Sequence, residues 1–129
     1  MASPNIVNVT NIYGRTTYLT PSVNTNVVLL TNAASSGKIL KLNTIFASNV
    51  DGTNSINATV SLYTNGAVAQ GSAPSGGTAF PLIFTVSVPA GAALSLLDKS
   101  IYLDENMSIV VTSGTASKIN YTISYDEIF

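Results

Sequence analysis

The chain is 129 residues long, with five Lys or Arg, six Asp or Glu and no His, giving a formal net charge of −1 at pH 7. That length is one domain of ordinary size, and charged residues at 9%, against roughly 25% in a typical soluble domain, leave no basic stripe for phosphates, which argues against a nucleic-acid partner. Zero Cys excludes disulfides and thiol chemistry, no apolar run of about 18 residues is there to span a membrane, and no basic-then-apolar signal segment opens the chain.

The opening stretch "SPNIVNVTNIYGRT" is β-prone but irregular, with Ile6, Val7, Val9, Ile12 and Tyr13 apolar on both parities. Two readings of residues 1–20 stand side by side: a first strand, or an arm that adds to a neighbour's sheet edge. Residues 21–129 read as the β-sandwich domain. "NVVLLT" and "KILKLNTIFAS" are apolar on both parities for part of their length, the pattern of strands covered on both faces or lying at a subunit contact. The following Asp51, Gly52, Thr53 and Asn54 offer one carboxylate and one amide, whereas a calcium ion takes about six to eight oxygens. Asp-Gly is a common hairpin pair because Gly tolerates positive φ, so a turn is expected here.

"INATVSLY" alternates, with Ile56, Ala58, Val60 and Leu62 on one face and Asn57, Thr59, Ser61 and Tyr63 on the other. Residues 65–79, "NGAVAQGSAPSGGTA", hold four glycines and a proline with little to bury, which predicts a flexible loop. The "GSAPSGG" within it lacks the Lys-Ser or Lys-Thr pair and the helix of a phosphate loop. "FPLIFTVSV" places Phe80, Leu82, Phe84, Val86 and Val88 on one half-buried face, opposite Thr85 and Ser87. Pro81 cannot donate a ladder hydrogen bond, so this strand starts there or lies at an edge.

"GAALSLL", a short "IYL" and "MSIVVTS" follow, separated by turn-forming "PAG" and "DEN". The last run, "KINYTISYDEI", sets Ile119, Tyr121, Ile123 and Tyr125 toward a core, opposite Asn120, Thr122, Ser124 and Asp126. No segment keeps a 3.6-residue period for three turns. About seven or eight short strands predict an all-β, single-domain antiparallel β-sandwich of jelly-roll or related Greek-key type.

Side chains for chemistry are scarce. Without His or Cys the usual general base, the triads built on it and the zinc and iron–sulfur ligand sets have no candidates. A glycosidase needs two carboxylates facing across a cleft. Asp126 and Glu127 are adjacent in a strand and point apart, while Asp104 and Glu105 sit in a turn. No catalytic residue, cofactor or metal is therefore expected. The polar surface must come from Ser, Thr and Asn, which suits close packing beside identical copies and would also suit sugars. There is no Trp to stack a sugar, so Tyr63 and Tyr102, each on the polar parity of its strand, are the only glycan-platform candidates.

Three blocks, "SPNIVNVTNIYGRT", "LLTNAASSGKILKLNTIFASNVDGTN" and "VSVPAGAALSLLDKSIYLDENMSIVVTSGTASKINYTISYDEI", resemble small β-rich virion structural proteins of tailed phages of marine cyanobacteria and other marine bacteria. The likeness spans nearly the whole chain except the segment around residues 65–79, and it contains no catalytic or ligand motif. It implies a component of the virion, made in the host cytoplasm, with a capsid decoration (cement) protein on the outer surface of the head as the preferred form. Its partner would be the major capsid protein or another virion protein. A homo-oligomer is expected, and a trimer would suit a threefold position. Ile6, Val7, Val9, Ile12, Tyr13 and Arg15 are the expected contact, made by strand addition or by lying on the partner's surface. The alternatives are a tail, neck or baseplate component, or a carbohydrate-binding adhesion module.

Overall fold

Period-2 alternation becomes antiparallel strand in the computed structural model, which describes residues 5–129. Among these residues there are nine strands and no helix: β1 Ile12–Leu19, β2 Val27–Asn32, β3 Ile39–Asn49, β4 Ile56–Tyr63, β5 Ala79–Val88, β6 Ala93–Ser95, β7 Ile101–Leu103, β8 Met107–Ser113 and β9 Ile119–Ile128. One sheet runs β1-β9-β3-β6, with β7 also on β3; the other runs β2-β8-β4-β5. β6 pairs with Phe46–Ser48 and β7 with Leu40–Leu42, so the two act as one edge strand broken in the middle. With that pair counted once, the chain alternates between sheets except at the β4–β5 hairpin, which is the jelly-roll order.

The inward parities of the two sheets meet in a single core. Leu29, Leu42, Ile45, Val60, Ile109, Val111, Ile119 and Ile123 are all fully buried there. Each such side chain contributes about 1.5–3 kcal/mol by leaving water. Tyr121 and Tyr125 join this core, as their parity predicts. The Tyr121 hydroxyl donates to the backbone carbonyl of Thr112 on β8 at 2.5 Å, so its one polar atom is satisfied inside. Two buried amides tie the sheets at their ends. Asn32 Nδ2 donates to the carbonyls of Lys38 and Leu103, and Asn49 Nδ2 to those of Asn54 and Val88, at 2.9–3.0 Å.

β2 is buried on both faces although it lies at the end of its sheet. Residues 65–79 explain this. They form no strand before Ala79, but they have more to bury than their composition promises. Val68 and Ala79 pack on Val28, Tyr63 and Val110, making a second small core on the outer face of the β2-β8-β4-β5 sheet. Gly71 N–H donates to the Val28 carbonyl and Val28 N–H to that of Ser72, so the loop also covers the free edge of β2. Gln70 Nε2 then reaches Thr17 Oγ1 and the Tyr18 carbonyl on β1 and the Leu29 carbonyl on β2, closing that side of the sandwich.

Candidate interaction surfaces

β5 is the far edge of its sheet, on the opposite side from the β1–β2 closure. Alternation placed Phe80, Leu82 and Phe84 toward the core with Val86 and Val88. The structure corrects this. The register against β4 slips twice, between Ala58 and Val60 and again between Val60 and Ser61. Ile83 is thereby set opposite Val60 and packs on the core, and Val88 is buried opposite Ile56. Thr85 takes φ of 49°, and its N–H is held by Thr59 Oγ1 at 2.9 Å. Such an excess of residues on one strand bends it and re-aims side chains. Phe80, Leu82 and Phe84 end up 56%, 40% and 69% exposed.

These three side chains leave roughly 300 Å² of apolar surface in water, the size of the largest patch on a typical monomer. Covering it would contribute about 7 kcal/mol before association costs. No charged residue lies between Ala79 and Val88. Edge strands are ordinarily guarded by charge, proline or bulges. Here Pro81 and the bulges are present and the charge is missing. Pro81 at an edge agrees with the sequence expectation.

The second exposed apolar surface is N-terminal. Asn11 exchanges backbone hydrogen bonds with Phe129 at 2.7 and 3.0 Å, and from Ile12 onward the chain is a strand registered on β9. Ile12–Leu19 is strand β1 of the sandwich, and the Thr10 N–H also donates to the Phe129 carbonyl at 3.0 Å, so the segment without such pairing lies before Thr10. Ile6 is half exposed and Val7 is 90% exposed, while Val9 is half-buried. Ile12 and Tyr13 are exposed on opposite faces of β1. The fold brings Tyr13 and Arg15 together with the C-terminus. The Tyr13 and Phe129 rings lie 5.7 Å apart, and the Arg15 guanidinium sits 5.7 Å from the Tyr13 ring. Arg15 Nε and Lys38 Nζ each approach Glu127 Oε1 at 3.4 Å. Arg15 and Lys38 are partly solvated, so these pairs add little stability. Burial, and secondarily the Glu127 carboxylate, pushes the Tyr125 phenol up, with Arg15 opposing.

Of the two glycan-platform candidates, Tyr63 is overturned. It does face away from the main core, but it lies under the 65–79 loop at 7% exposure, and its hydroxyl accepts from Gly77 N–H at 3.0 Å. A sugar has no access to that ring. Tyr102 remains exposed on β7, opposite Lys41. A cleft of about 320 Å³ opens between the β1–β2 connection and the long loop, lined by Leu19, Thr20, Pro21, Val23, Asn26 and Gly71 among others, with no titratable group. Its walls come from segments about 50 residues apart, so no local sequence motif marks it.

Asp51 is a turn residue. Its Oδ1 accepts from the Thr53 and Asn54 N–H groups at 2.8 and 3.1 Å, which holds its carboxyl below the usual aspartate value. Among the described residues no three Asp or Glu converge on a common point. Glu105, in the β7–β8 turn, has both carboxylate oxygens shielded with no hydrogen-bond partner among those residues.

No known family model matches the chain, and no curated protein sequence matches it.

Proposed function

We propose that the protein is a structural component of a phage virion, a decoration protein that binds between capsomers on the outer surface of the head and stabilises the shell. It acts by adhesion and not by turnover. The observation that carries this reading is the pair of exposed apolar surfaces on opposite sides of one jelly roll: the uncharged strand β5 on one side, and Ile6, Val7 and Ile12 on the other. A cement protein needs two such sides, one for the shell and one for its neighbours. The resemblance of the three sequence blocks points the same way. Jelly rolls recur in viral capsid proteins and in lectins.

The N-terminal segment is the shell contact in this proposal, with the major capsid protein as partner. An interface of about 800 Å² per partner is ordinary for a specific complex, and repeated contacts on a rigid lattice add avidity through effective concentration. The test is truncation. Removing residues 2–15 would cut into β1, whose Ile12–Arg15 half is paired with Tyr125–Ile128, so the informative deletion is residues 2–10. The shortened protein should keep its β-sheet circular dichroism and fail to load onto heads lacking the protein. Normal loading would overturn the arm as the contact.

The adhesion-module alternative rests on Tyr102 alone, now that Tyr63 is enclosed. A particle reconstruction separates the possibilities. Regular copies on the head support decoration, whereas a few copies at the tail, neck or baseplate, with glycan-array binding, support the alternatives.

A further inference from the structure

We infer that copies of this chain associate with one another through β5, packing Phe80, Leu82 and Phe84 of one copy against the same strand of the next. Three observations choose this occupant over others. The strand bears no charge, and the whole chain carries only net −1, so two copies meet there without like-charge repulsion. A nucleic acid or a strongly charged protein would find nothing on the strand to recognise.

Strand addition by an extended peptide is opposed by the backbone. Pro81 has no N–H, the Thr85 N–H is already taken by Thr59 Oγ1, and the two register slips deny a continuous ladder. What β5 offers is side chains standing on a bent strand, a surface suited to packing against another preformed surface.

Size gives the third argument. Roughly 300 Å² is too little for a full contact at about 800 Å² per partner, but it is enough for the dry centre of one. A second copy supplies the matching aromatic centre from its own β5, and exposed polar residues such as Thr85 and Ser87 of both supply the rim.

This contact is separate from the N-terminal one, and purified protein without any particle is sufficient to test it. Sedimentation velocity from micromolar to near-millimolar concentration should show wild-type protein at the mass of two or more chains. Phe84→Asp should weaken association by more than about tenfold, as for an aromatic at an interface centre, with unchanged circular dichroism because Phe84 is exposed. The chain has no Cys, so Phe84→Cys gives an independent reading. Mild oxidation should link it into covalent pairs, whereas Thr53→Cys in an exposed turn should stay unlinked. The inference falls if wild type sediments as one chain throughout, or if Phe84→Asp associates as well as wild type. It falls equally if the Phe84→Cys chains link no faster than the Thr53→Cys chains. Loss of head binding by Phe84→Asp, with wild type monomeric, would assign the patch to the shell and overturn self-association. Retained self-association in the residue 2–10 deletion, with loss of loading, would support both contacts separately.

Discussion

Asn49, the last residue of β3, donates through Nδ2 to the carbonyl of Val88 on β5 at 2.9 Å, so one buried amide joins the two sheets of the sandwich. The same nitrogen donates to the Asn54 carbonyl, and Asn49 Oδ1 accepts from Asp51 N–H at 2.8 Å, which fixes the turn by which the chain crosses from β3 to β4 in the other sheet. Asn32 performs the equivalent task near the start of β3, reaching Lys38 and Leu103.

Asn49→Ala should therefore cost about 2–4 kcal/mol, because it leaves buried carbonyls without donors. Asn49→Asp should cost at least as much, since a carboxylate cannot donate to Val88. The effect of Asn32→Ala should add to that of Asn49→Ala within about 0.5 kcal/mol, the two sites lying at opposite ends of β3. Urea unfolding of the single and double variants measures all of this. A cost below about 1 kcal/mol for Asn49→Ala would remove the clip as a stabilising element.

Burial holds the Tyr121 phenol well above the usual tyrosine value of 10.0. The unfolded chain releases this proton from about pH 10 upward while the folded chain keeps it. Stability is thus full below that pH and declines above it, with a contribution of up to about 1.4 kcal/mol per pH unit from this group. Tyr125 is raised by the same cause and acts in the same direction. Tyr121→Phe should lose about 1 kcal/mol at neutral pH, from the bond to Thr112, and should flatten the alkaline decline. Urea midpoints between about pH 8 and pH 11 test both halves; an unchanged alkaline slope in Tyr121→Phe would remove Tyr121 as its source.

Much of the sandwich is legible in the sequence because alternation reports directly on which face of a strand is wet. Ile119, Tyr121, Ile123 and Tyr125 fall inside as their parity requires. The same rule fails at β5, where two register slips and a positive φ at Thr85 exchange the core role of Leu82 and Phe84 for that of Ile83. Bulges leave no composition signal, so the exposed aromatic patch was invisible as a surface. Tyr63 fails differently. Its parity is right, but a loop from later in the chain covers the polar face, and parity says nothing about what crosses a sheet from outside. The double-sided apolar pattern of "NVVLLT" was the legible half of that fact.

Gln70 is the single side chain bridging β1 to β2 from the long loop. Gln70→Ala should leave the main core intact and loosen the loop. Global stability should fall by about 1–2 kcal/mol, while amide exchange should accelerate selectively at Val28 and Gly71, whose backbone bonds pin the loop to β2. Exchange rates at these two amides equal to wild type would show that Val68 packing alone holds the loop down.

Gly66 and Gly52 lie in the two segments that composition marks as turn-forming, yet they should respond in opposite ways to the same substitution. A Cβ on Gly66 would meet the Asn32 carbonyl oxygen and lie 2.9 Å from the Met107 nitrogen, backbone atoms of β2 and β8 that cannot swing aside. It would also lie 3.1 Å from the Asn106 backbone carbon, and Gly66 is held in place there, its carbonyl accepting from Thr31 Oγ1 and its N–H donating to Asn106 Oδ1. Gly66→Ala should cost about 1–3 kcal/mol through overpacking. A Cβ on Gly52 meets nothing within 4 Å, and its φ is not left-handed. Gly52→Ala should be neutral or stabilising by up to about 1 kcal/mol, through the lower entropy of the unfolded chain. Thermal melts of the two variants, run side by side, decide whether close approach or backbone freedom sets the need for glycine; equal losses in both would refute the distinction.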